Sequence, residues 1–181
     1  MRLFYGLSLP DAVRLETARA SREAALSIPG RYALPENHHL TLAFLGEVPP
    51  ERVPDAQQAL AQTIARFPAP TISVRSFDIF GRPQNAILIL RAESTPTLDP
   101  LNAALKEALS CANLPFDPGP FSPHITLARH ADVTGGLPGQ PPLPDCSFTA
   151  HTAHLFLSAR DEENILRYTP IFTADFENNA I

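Results

Sequence analysis

Cysteine is scarce in this sequence, and other marks of particular protein classes are missing. The two cysteines, Cys111 and Cys146, are too few and too irregularly placed for a disulfide framework or a zinc site. No stretch approaches the roughly 20 apolar residues of a membrane span, and the N-terminus lacks the apolar region of a signal peptide. These absences predict a soluble cytoplasmic protein.

A surplus of positive charge is missing as well. The chain has 14 basic and 19 acidic residues, which gives a formal net charge of −5. This balance argues against long, non-specific contact with nucleic acid, because such contact relies on an extended basic surface. Recognition of a single nucleic-acid end stays open, since a few local arginines suffice for it. Every basic residue except Lys106 is arginine. The planar guanidinium favours phosphate, although a coding bias towards arginine is the simpler explanation for most of them.

The length and composition are those of one compact globular unit. Hydrophobic residues make up 44% of the chain and charged residues 18%, as in ordinary ordered proteins. A chain of 181 residues is long enough for a substantial core and short for two independent domains. We therefore expect residues 1–181 to form a single domain.

A His-x-Thr-Leu pattern occurs twice, at residues 39–42 and 124–127. Each copy predicts a short strand, in which alternation places the histidine and the threonine on one face. The next positions on that face are Ala43 and Ala128, whose small side chains would leave room for a ligand. Two separated strands thus supply two imidazoles and two hydroxyls, and neither motif brings Asp or Glu onto its active face.

These side chains are suited to acid–base chemistry on a phosphate. Opening a 2′,3′-cyclic phosphate requires one group that removes a proton from water and another that protonates the departing oxygen. Histidine serves both roles, because its pKa of about 6.5 leaves both protonation states populated near neutral pH. A threonine hydroxyl can donate a hydrogen bond to a non-bridging phosphate oxygen.

At these residues the chain resembles the two-histidine phosphoesterases. Within that superfamily it is most similar to the bacterial RNA 2′,3′-cyclic phosphodiesterases, also called 2′-5′ RNA ligases. The resemblance extends over nearly the whole chain and includes residues 1–5, 39–46 and 123–129, together with the 85-residue separation of the two histidines.

The resemblance implies a fold and an activity. The fold is a bilobal α+β domain with two pseudo-symmetric lobes of antiparallel sheet, helices packed outside and a central cleft to which each lobe contributes one motif. The activity is hydrolysis of a terminal 2′,3′-cyclic phosphate on RNA or a nucleotide to a 2′-phosphomonoester. It needs no metal or other cofactor, and the reverse reaction is 2′-5′ ligation.

The resemblance also implies a role for each motif residue. His39 is the proton donor and His124 the proton acceptor, while Thr41 and Thr126 hold the phosphate oxygens. The residues by themselves show two equivalent histidines and do not rank them.

Two other functions remain open from the sequence. A closely related enzyme would cleave a 2′-5′ oligonucleotide linkage or a small cyclic nucleotide. A protein of a different class would bind a nucleotide or RNA end without turning it over. The intact histidines and threonines argue against the binding module, because binding alone does not require two titratable groups. We expect a monomer that does not associate with membranes.

Three further residues are candidates for substrate contact. Arg129 follows the second motif, but strict alternation turns it away from His124. It reaches the phosphate only if the strand ends or bulges after Thr126, and otherwise it forms a structural ion pair. Phe4 and Tyr5 occupy opposite faces of the first predicted strand, so one of them can stack on a base while the other packs in the core.

Neither catalysis by His38 nor a metal site at His151 and His154 is expected. His38 lies on the strand face opposite to His39. His151 and His154 have a spacing that suits a metal only on a helix, and here they fall in a predicted strand on opposite faces.

An alternation of strands and helices is predicted along the chain. Predicted strands cover 2–9, 38–45, 71–80, 86–91, 146–159 and 168–176, and predicted helices cover 11–27, 50–67 and 98–109. The segment 135–144 is dense in proline and glycine and predicts a surface loop or a flap.

Overall fold

The computed structural model describes residues 1–137 and 146–176. The strands of this part are β1 (Arg2–Ser8), β2 (Arg31–Tyr32), β3 (His39–Glu47), β4 (Thr71–Arg82), β5 (Asn85–Ala92), β6 (His124–Ala131), β7 (Cys146–Thr149), β8 (Thr152–Arg160) and β9 (Leu166–Asp175). The helices are α1 (Asp11–Ala25), α2 (Val53–Ile64) and α3 (Leu98–Cys111), and the 3-10 turns are Pro35–Asn37 and Pro50–Arg52.

All nine strands belong to one antiparallel sheet with the order β7-β4-β5-β6-β3-β1-β8-β9, and β2 pairs with β6 off this path. The order is symmetrical about the junction between β3 and β6. On one side β3 is followed by β1, β8 and β9, and on the other side β6 is followed by β5, β4 and β7. In each half a helix connects the second strand to the motif strand, α1 between β1 and β3 and α3 between β5 and β6. This confirms the predicted bilobal α+β fold.

The helices cover one face of the sheet with apolar stripes. In α3 the buried leucines Leu98, Leu101, Leu105 and Leu109 recur at helical spacing. Helix α2 tolerates Pro54 because it lies in the first turn, where the missing amide would have no partner. The strand residues that point towards the helices complete a continuous core. The opposite face is left for the cleft described below.

Several predicted boundaries were wrong. The strand predicted over 146–159 is divided into β7 and β8. The β4–β7 ladder ends at Thr71 and Thr149, because the next pair keeps only the bond from the Ala150 amide to the Pro70 carbonyl at 2.9 Å, and Pro70 has no amide to return it. The helix predicted over 50–67 begins as a 3-10 turn. Strand β2 was not predicted, since its two residues carry no periodicity. The loop predicted over 135–144 falls largely on residues 138–145, outside the described part.

No helix within residues 1–137 and 146–176 combines the length and the apolar character needed to cross a membrane.

Candidate active site

The two motif strands meet at one point. The ladder between β3 and β6 has a single pair, Leu40 with Ile125. Continuing this antiparallel register by one residue in each direction places His39 opposite Thr126 and Thr41 opposite His124. The two histidines are then diagonal neighbours on one face, with backbones about 7–8 Å apart. Beyond the pair, β2 takes the place of β3 along β6, so the motif strands diverge and open a cleft.

Both motif strands carry a bulge immediately after the threonine. On β3 the pairing with β1 skips Leu42, and on β6 the pairing with β5 skips Leu127. A bulge leaves one residue unpaired and exchanges the two faces of the strand beyond it. Asn102 of α3 satisfies the bulge on β3, because its side-chain amide donates to the Leu42 carbonyl at 2.6 Å.

The bulges decide which residues enter the cleft. Arg129, which required such a bulge, lines the cleft beside both motifs. The expectation for Ala43 was wrong, because the bulge turns it into the core at 4% exposure and brings Phe44 to the cleft wall. Ala128 borders the cleft, but the bulge on β6 turns it towards the core in the same way, and it is 0% exposed.

The cleft has a volume of about 630 Å³ and contains all four motif side chains. Among the residues that the structure describes, four arginines line it, namely Arg2, Arg31, Arg129 and Arg160, and no acidic residue does. Arg31 and Arg129 are direct cross-strand partners, an arrangement that is unfavourable for like charges. An anion between them would relieve this repulsion, so the lining of the cleft suits a negatively charged ligand.

Each motif histidine is oriented by the backbone carbonyl of the residue two positions earlier. The Nδ1 atom of His39 lies 2.7 Å from the Asn37 carbonyl oxygen, and Nδ1 of His124 lies 2.7 Å from the Ser122 carbonyl oxygen. A carbonyl can only accept a hydrogen bond, so Nδ1 carries the proton in both rings. In the neutral rings Nε2 is the acceptor. Nε2 of His39 accepts from the Thr41 hydroxyl at 3.0 Å.

Aromatic rings surround His39. Its ring centroid lies 4.7 Å from that of Phe4 and 5.9 Å from that of Phe156, and Tyr168 meets it edge-on at 5.0 Å. This burial lowers the pKa of His39 to about 4, while the hydrogen bond to the Asn37 carbonyl opposes the shift. His39 is therefore neutral in the free protein at neutral pH.

Gly6 makes this packing possible. It pairs with Thr41 on one side and His154 on the other, and the Phe4 and Phe156 rings lie over it. A Cβ atom at Gly6 would meet the Leu40 carbonyl oxygen at 3.0 Å and the Phe156 ring at 3.3 Å. A larger residue would lift the rings that support His39.

The surroundings of His124 are more polar. Phe80 meets its ring edge-on at 4.9 Å. Arg91 is its cross-strand partner on β5 and bonds to the Ser122 hydroxyl at 2.8 Å. Burial lowers the pKa of His124, and the positive charges of Arg91 and Arg129 lower it further. The two motifs thus share a sequence but not an environment.

Asn37 positions His39 in a way that the motif did not reveal. Its carbonyl accepts from Nδ1 of His39. Its side chain donates to the Leu166 carbonyl at 2.8 Å and accepts from the Tyr168 amide at 3.1 Å. This pair of bonds holds β9, and with it the Tyr168 ring, against His39. The partners are 129 and 131 residues away in sequence, so only the folded chain shows them.

The two aromatic candidates of β1 have different places. Phe4 borders the cleft and packs on His39 at 3% exposure. Its stacking on a base stays a prediction. The expectation of a substrate contact does not hold for Tyr5, which is fully buried on the helix side. Its hydroxyl donates to the Ala56 carbonyl of α2 at 2.7 Å, because a buried phenol needs a partner.

The other four histidines differ in position. His130 lines the cleft, where its Nδ1 lies 2.9 Å from Oδ1 of Asn85. His38 is buried under α1, where Nδ1 contacts the Thr17 hydroxyl at 2.9 Å, and burial lowers its pKa to about 4. His151 lies between β7 and β8 and is exposed. His154 contacts the hydroxyls of Thr152 and Thr173. Within residues 1–137 and 146–176, no group of three or more His, Cys, Asp or Glu side chains could hold a metal ion.

Comparison with known proteins places this geometry in a family. The sequence profile of the 2′-5′ RNA ligase superfamily matches residues 9–162. The chain belongs to the 2′-5′ RNA ligase superfamily.

Bacterial proteins named RNA 2′,3′-cyclic phosphodiesterase are similar to this chain in sequence. A Thermus thermophilus protein named RNA 2′,3′-cyclic phosphodiesterase is 37% identical over 136 residues, which cover 71% of this chain and 68% of that protein. An Escherichia coli protein of the same name is 29% identical over 171 residues, which cover 94% of this chain and 93% of that protein.

Solved structures share the fold. Escherichia coli LigT complexed with 3′-AMP superposes with a TM-score of 0.77 at 27% identity and covers 98% of both chains. TT0787 of Thermus thermophilus superposes with a TM-score of 0.79 at 25% identity, covering 97% of this chain and 98% of that chain.

We expect Asn37→Ala to raise the pKa of His39 from about 4 towards its ordinary value of about 6.5. Loss of the two bonds to β9 frees the Tyr168 ring, and water then stabilises the imidazolium. An NMR titration of the His39 ring protons measures this, with His39→Ala to assign the signals. Asn85→Ala, at the first residue of β5, is the matched control; its side chain contacts His130 and not His39, so it should leave the His39 titration unchanged. An unaltered His39 pKa in folded Asn37→Ala would show that Asn37 does not maintain the burial.

Proposed function

We propose that this protein is an RNA 2′,3′-cyclic phosphodiesterase that uses two histidines for acid–base catalysis. The observation that carries the proposal is the antiparallel meeting of two His-x-Thr motifs in a cleft that, within residues 1–137 and 146–176, is lined by arginines and by no acidic residue. Membership of the superfamily and the names of the relatives from several bacteria support the same activity.

The two Nε2 atoms perform the proton transfers in this proposal. Nε2 of His124 removes a proton from water as the water attacks phosphorus. Nε2 of His39, protonated, donates to the departing 3′ oxygen, which leaves a 2′-phosphomonoester. The base must begin neutral, and the positive charges of Arg91 and Arg129 favour neutral His124.

His39 gains its proton together with the substrate. Burial keeps the free imidazole neutral, but a phosphate anion in the cleft favours the protonated ring. Donation by Thr41 to Nε2 ends when that nitrogen is protonated, and the hydroxyl is then released to donate to a phosphate oxygen. We propose that proton uptake and phosphate binding are coupled through this exchange.

Thr41, Thr126 and Arg129 hold the non-bridging oxygens. The two hydroxyls lie diagonally across the β3–β6 junction, so each is beside the other motif's histidine. Arg129, with Arg31 beside it, supplies the positive charge that offsets the charge building on the phosphate. These groups also lower the barrier to the reverse reaction, in which a 5′-hydroxyl replaces water, and water at its cellular concentration makes hydrolysis the dominant direction.

The protein as a whole acts as one catalytic unit in this proposal. Residues from both halves of the sheet complete the site within one chain, which supports a monomer. Cys111 is an exposed free thiol, as is usual in a reducing compartment, and this supports the cytoplasm as its location.

Replacing either motif histidine should nearly abolish hydrolysis of a short RNA that ends in a 2′,3′-cyclic phosphate. His39→Ala and His124→Ala should each lower kcat by about 100- to 10,000-fold, as expected when one acid–base group is lost. Thr41→Ala and Thr126→Ala should cost less, because a neutral hydrogen bond is lost and the proton route remains. The exposed His151→Ala is the control and should match the wild type. Retention of wild-type kcat by either motif variant would refute the mechanism.

The pH dependence should differ between kcat/KM and kcat. The reactive form needs one protonated and one neutral imidazole, and burial lowers both pKa values in the free enzyme. Both rings are therefore neutral above pH 6.5, and kcat/KM, which reports the free enzyme, should reach its maximum below that pH. Bound phosphate raises the pKa values, so the kcat maximum should lie at higher pH. Steady-state rates from pH 4 to 9 test this, and a kcat/KM maximum above pH 7.5 would contradict it.

A further inference from the structure

The cleft arginines differ from the other arginines in their partners. Within residues 1–137 and 146–176, none of the four arginines that line the cleft forms an ion pair. Six of the nine other arginines do, and these are Arg14, Arg19, Arg52, Arg75, Arg91 and Arg167. The chain as a whole has a net charge of −5. Four arginines without an ion pair in one cleft therefore indicate a ligand with more than one anionic group.

Two of these arginines lie away from the motifs. Arg2 precedes Gly6, the partner of Thr41, by four residues, which is about 13 Å along β1. Arg160 ends β8, on the far side of β1 from the motif strand β3. Both side chains are exposed and line the same cleft as the histidines. A phosphate held between Thr41 and Thr126 occupies a different part of the cleft.

Both guanidinium groups are held in place without a carboxylate. Cζ of Arg2 lies 4.9 Å from the ring centroid of Phe44, a cation–π contact. Nη1 of Arg160 donates to the Asn164 carbonyl at 2.5 Å. Most of their donors stay available, since a guanidinium has five N–H groups.

Two carboxylates adjacent to these arginines in the fold have other partners. Glu47 is the cross-strand partner of Arg2, but its side chain lies 3.4 Å from the N-terminal amino group. Asp161 follows Arg160 and pairs with Arg167 at 2.9 Å. The surrounding pairings thus leave Arg2 and Arg160 free for a ligand.

We propose that Arg2 and Arg160 form a second phosphate subsite, which binds the phosphoryl group on the 5′ oxygen of the terminal nucleotide. This inference rests on the proposed function. The terminal nucleotide of an RNA carries the cyclic phosphate at one end of its ribose and a 5′-phosphodiester at the other. A nucleoside 2′,3′-cyclic phosphate has only the first of these groups. The subsite therefore selects 5′-phosphorylated ends, from RNA or from a 5′-nucleotide, over the bare nucleoside.

Three substrates test the subsite: cytidine 2′,3′-cyclic phosphate, its 5′-phosphorylated form, and a dinucleotide with a terminal 2′,3′-cyclic phosphate. The wild type should show a higher kcat/KM for the two substrates with a 5′-phosphoryl group. Arg2→Gln and Arg160→Gln should each reduce that advantage by about tenfold, as for a lost charge-assisted hydrogen bond. Both variants should keep the wild-type kcat/KM on the bare nucleoside, which also shows that they are folded. Arg22→Gln, an exposed arginine of α1 outside the cleft, is the matched control and should behave as the wild type.

Each outcome has a distinct meaning. An advantage for both phosphorylated substrates supports a subsite that accepts an RNA chain, and an advantage for the 5′-monoester alone supports one that accepts a nucleotide. Equal rates on all three substrates in the wild type, or equal losses on all three in the variants, would overturn the subsite and leave the proposed function intact. Failure of the wild type to hydrolyse any of them would overturn the proposed function itself.

Discussion

The single ladder pair between Leu40 and Ile125 is the constraint on which the site depends. It joins the two halves of the sheet between their motif strands, and its antiparallel register sets each histidine opposite the other motif's threonine. A shift by one residue would turn one motif's side chains towards the helices. Because the strands diverge beyond this pair, the same contact that aligns the motifs also leaves room for the cleft.

The two halves of the site are alike in sequence and different in electrostatics. Both imidazoles bond through Nδ1 to the carbonyl two residues earlier, so both present Nε2 to the cleft. His39 is packed among Phe4, Phe156 and Tyr168, whereas His124 is flanked by Arg91 and Arg129. We propose that this difference separates acid from base, since a pair of identical groups in identical surroundings would have no preferred direction of proton transfer. The acidic overall charge does not oppose the function, because the charged side chains that line the cleft in the described part of the chain are all arginines.

The sequence was sufficient for the parts of the site that depend on local periodicity. Alternation within each motif predicted that histidine and threonine share a face and that His38 does not. The resemblance carried by the motifs predicted the bilobal fold. The bulges after Thr41 and Thr126 could not be located, because they arise from pairing with strands β1 and β5 elsewhere in the chain. For that reason Ala43 and Ala128 were both assigned to the open face although the bulges turn them towards the core, and Phe44 was missed as a cleft residue. Asn37 and Gly6 were missed for a similar reason. Asn37 bonds to β9, and Gly6 lies under the Phe4 and Phe156 rings, and only the folded sheet brings these partners together. Tyr5 followed the alternation of β1, but the pattern did not show which face holds the helices.

The most direct test of the central claim is to identify the product that forms in the presence of a metal chelator. A short RNA with a terminal 2′,3′-cyclic phosphate is incubated with the protein in EDTA, and the phosphate position in the product is identified by mass and by phosphatase sensitivity. If the two histidines perform both proton transfers without a metal, EDTA should not reduce the conversion to the 2′-phosphomonoester. Loss of activity in EDTA with recovery on adding manganese or zinc, as a two-metal phosphodiesterase requires, would contradict the account, and so would a 3′-phosphomonoester product.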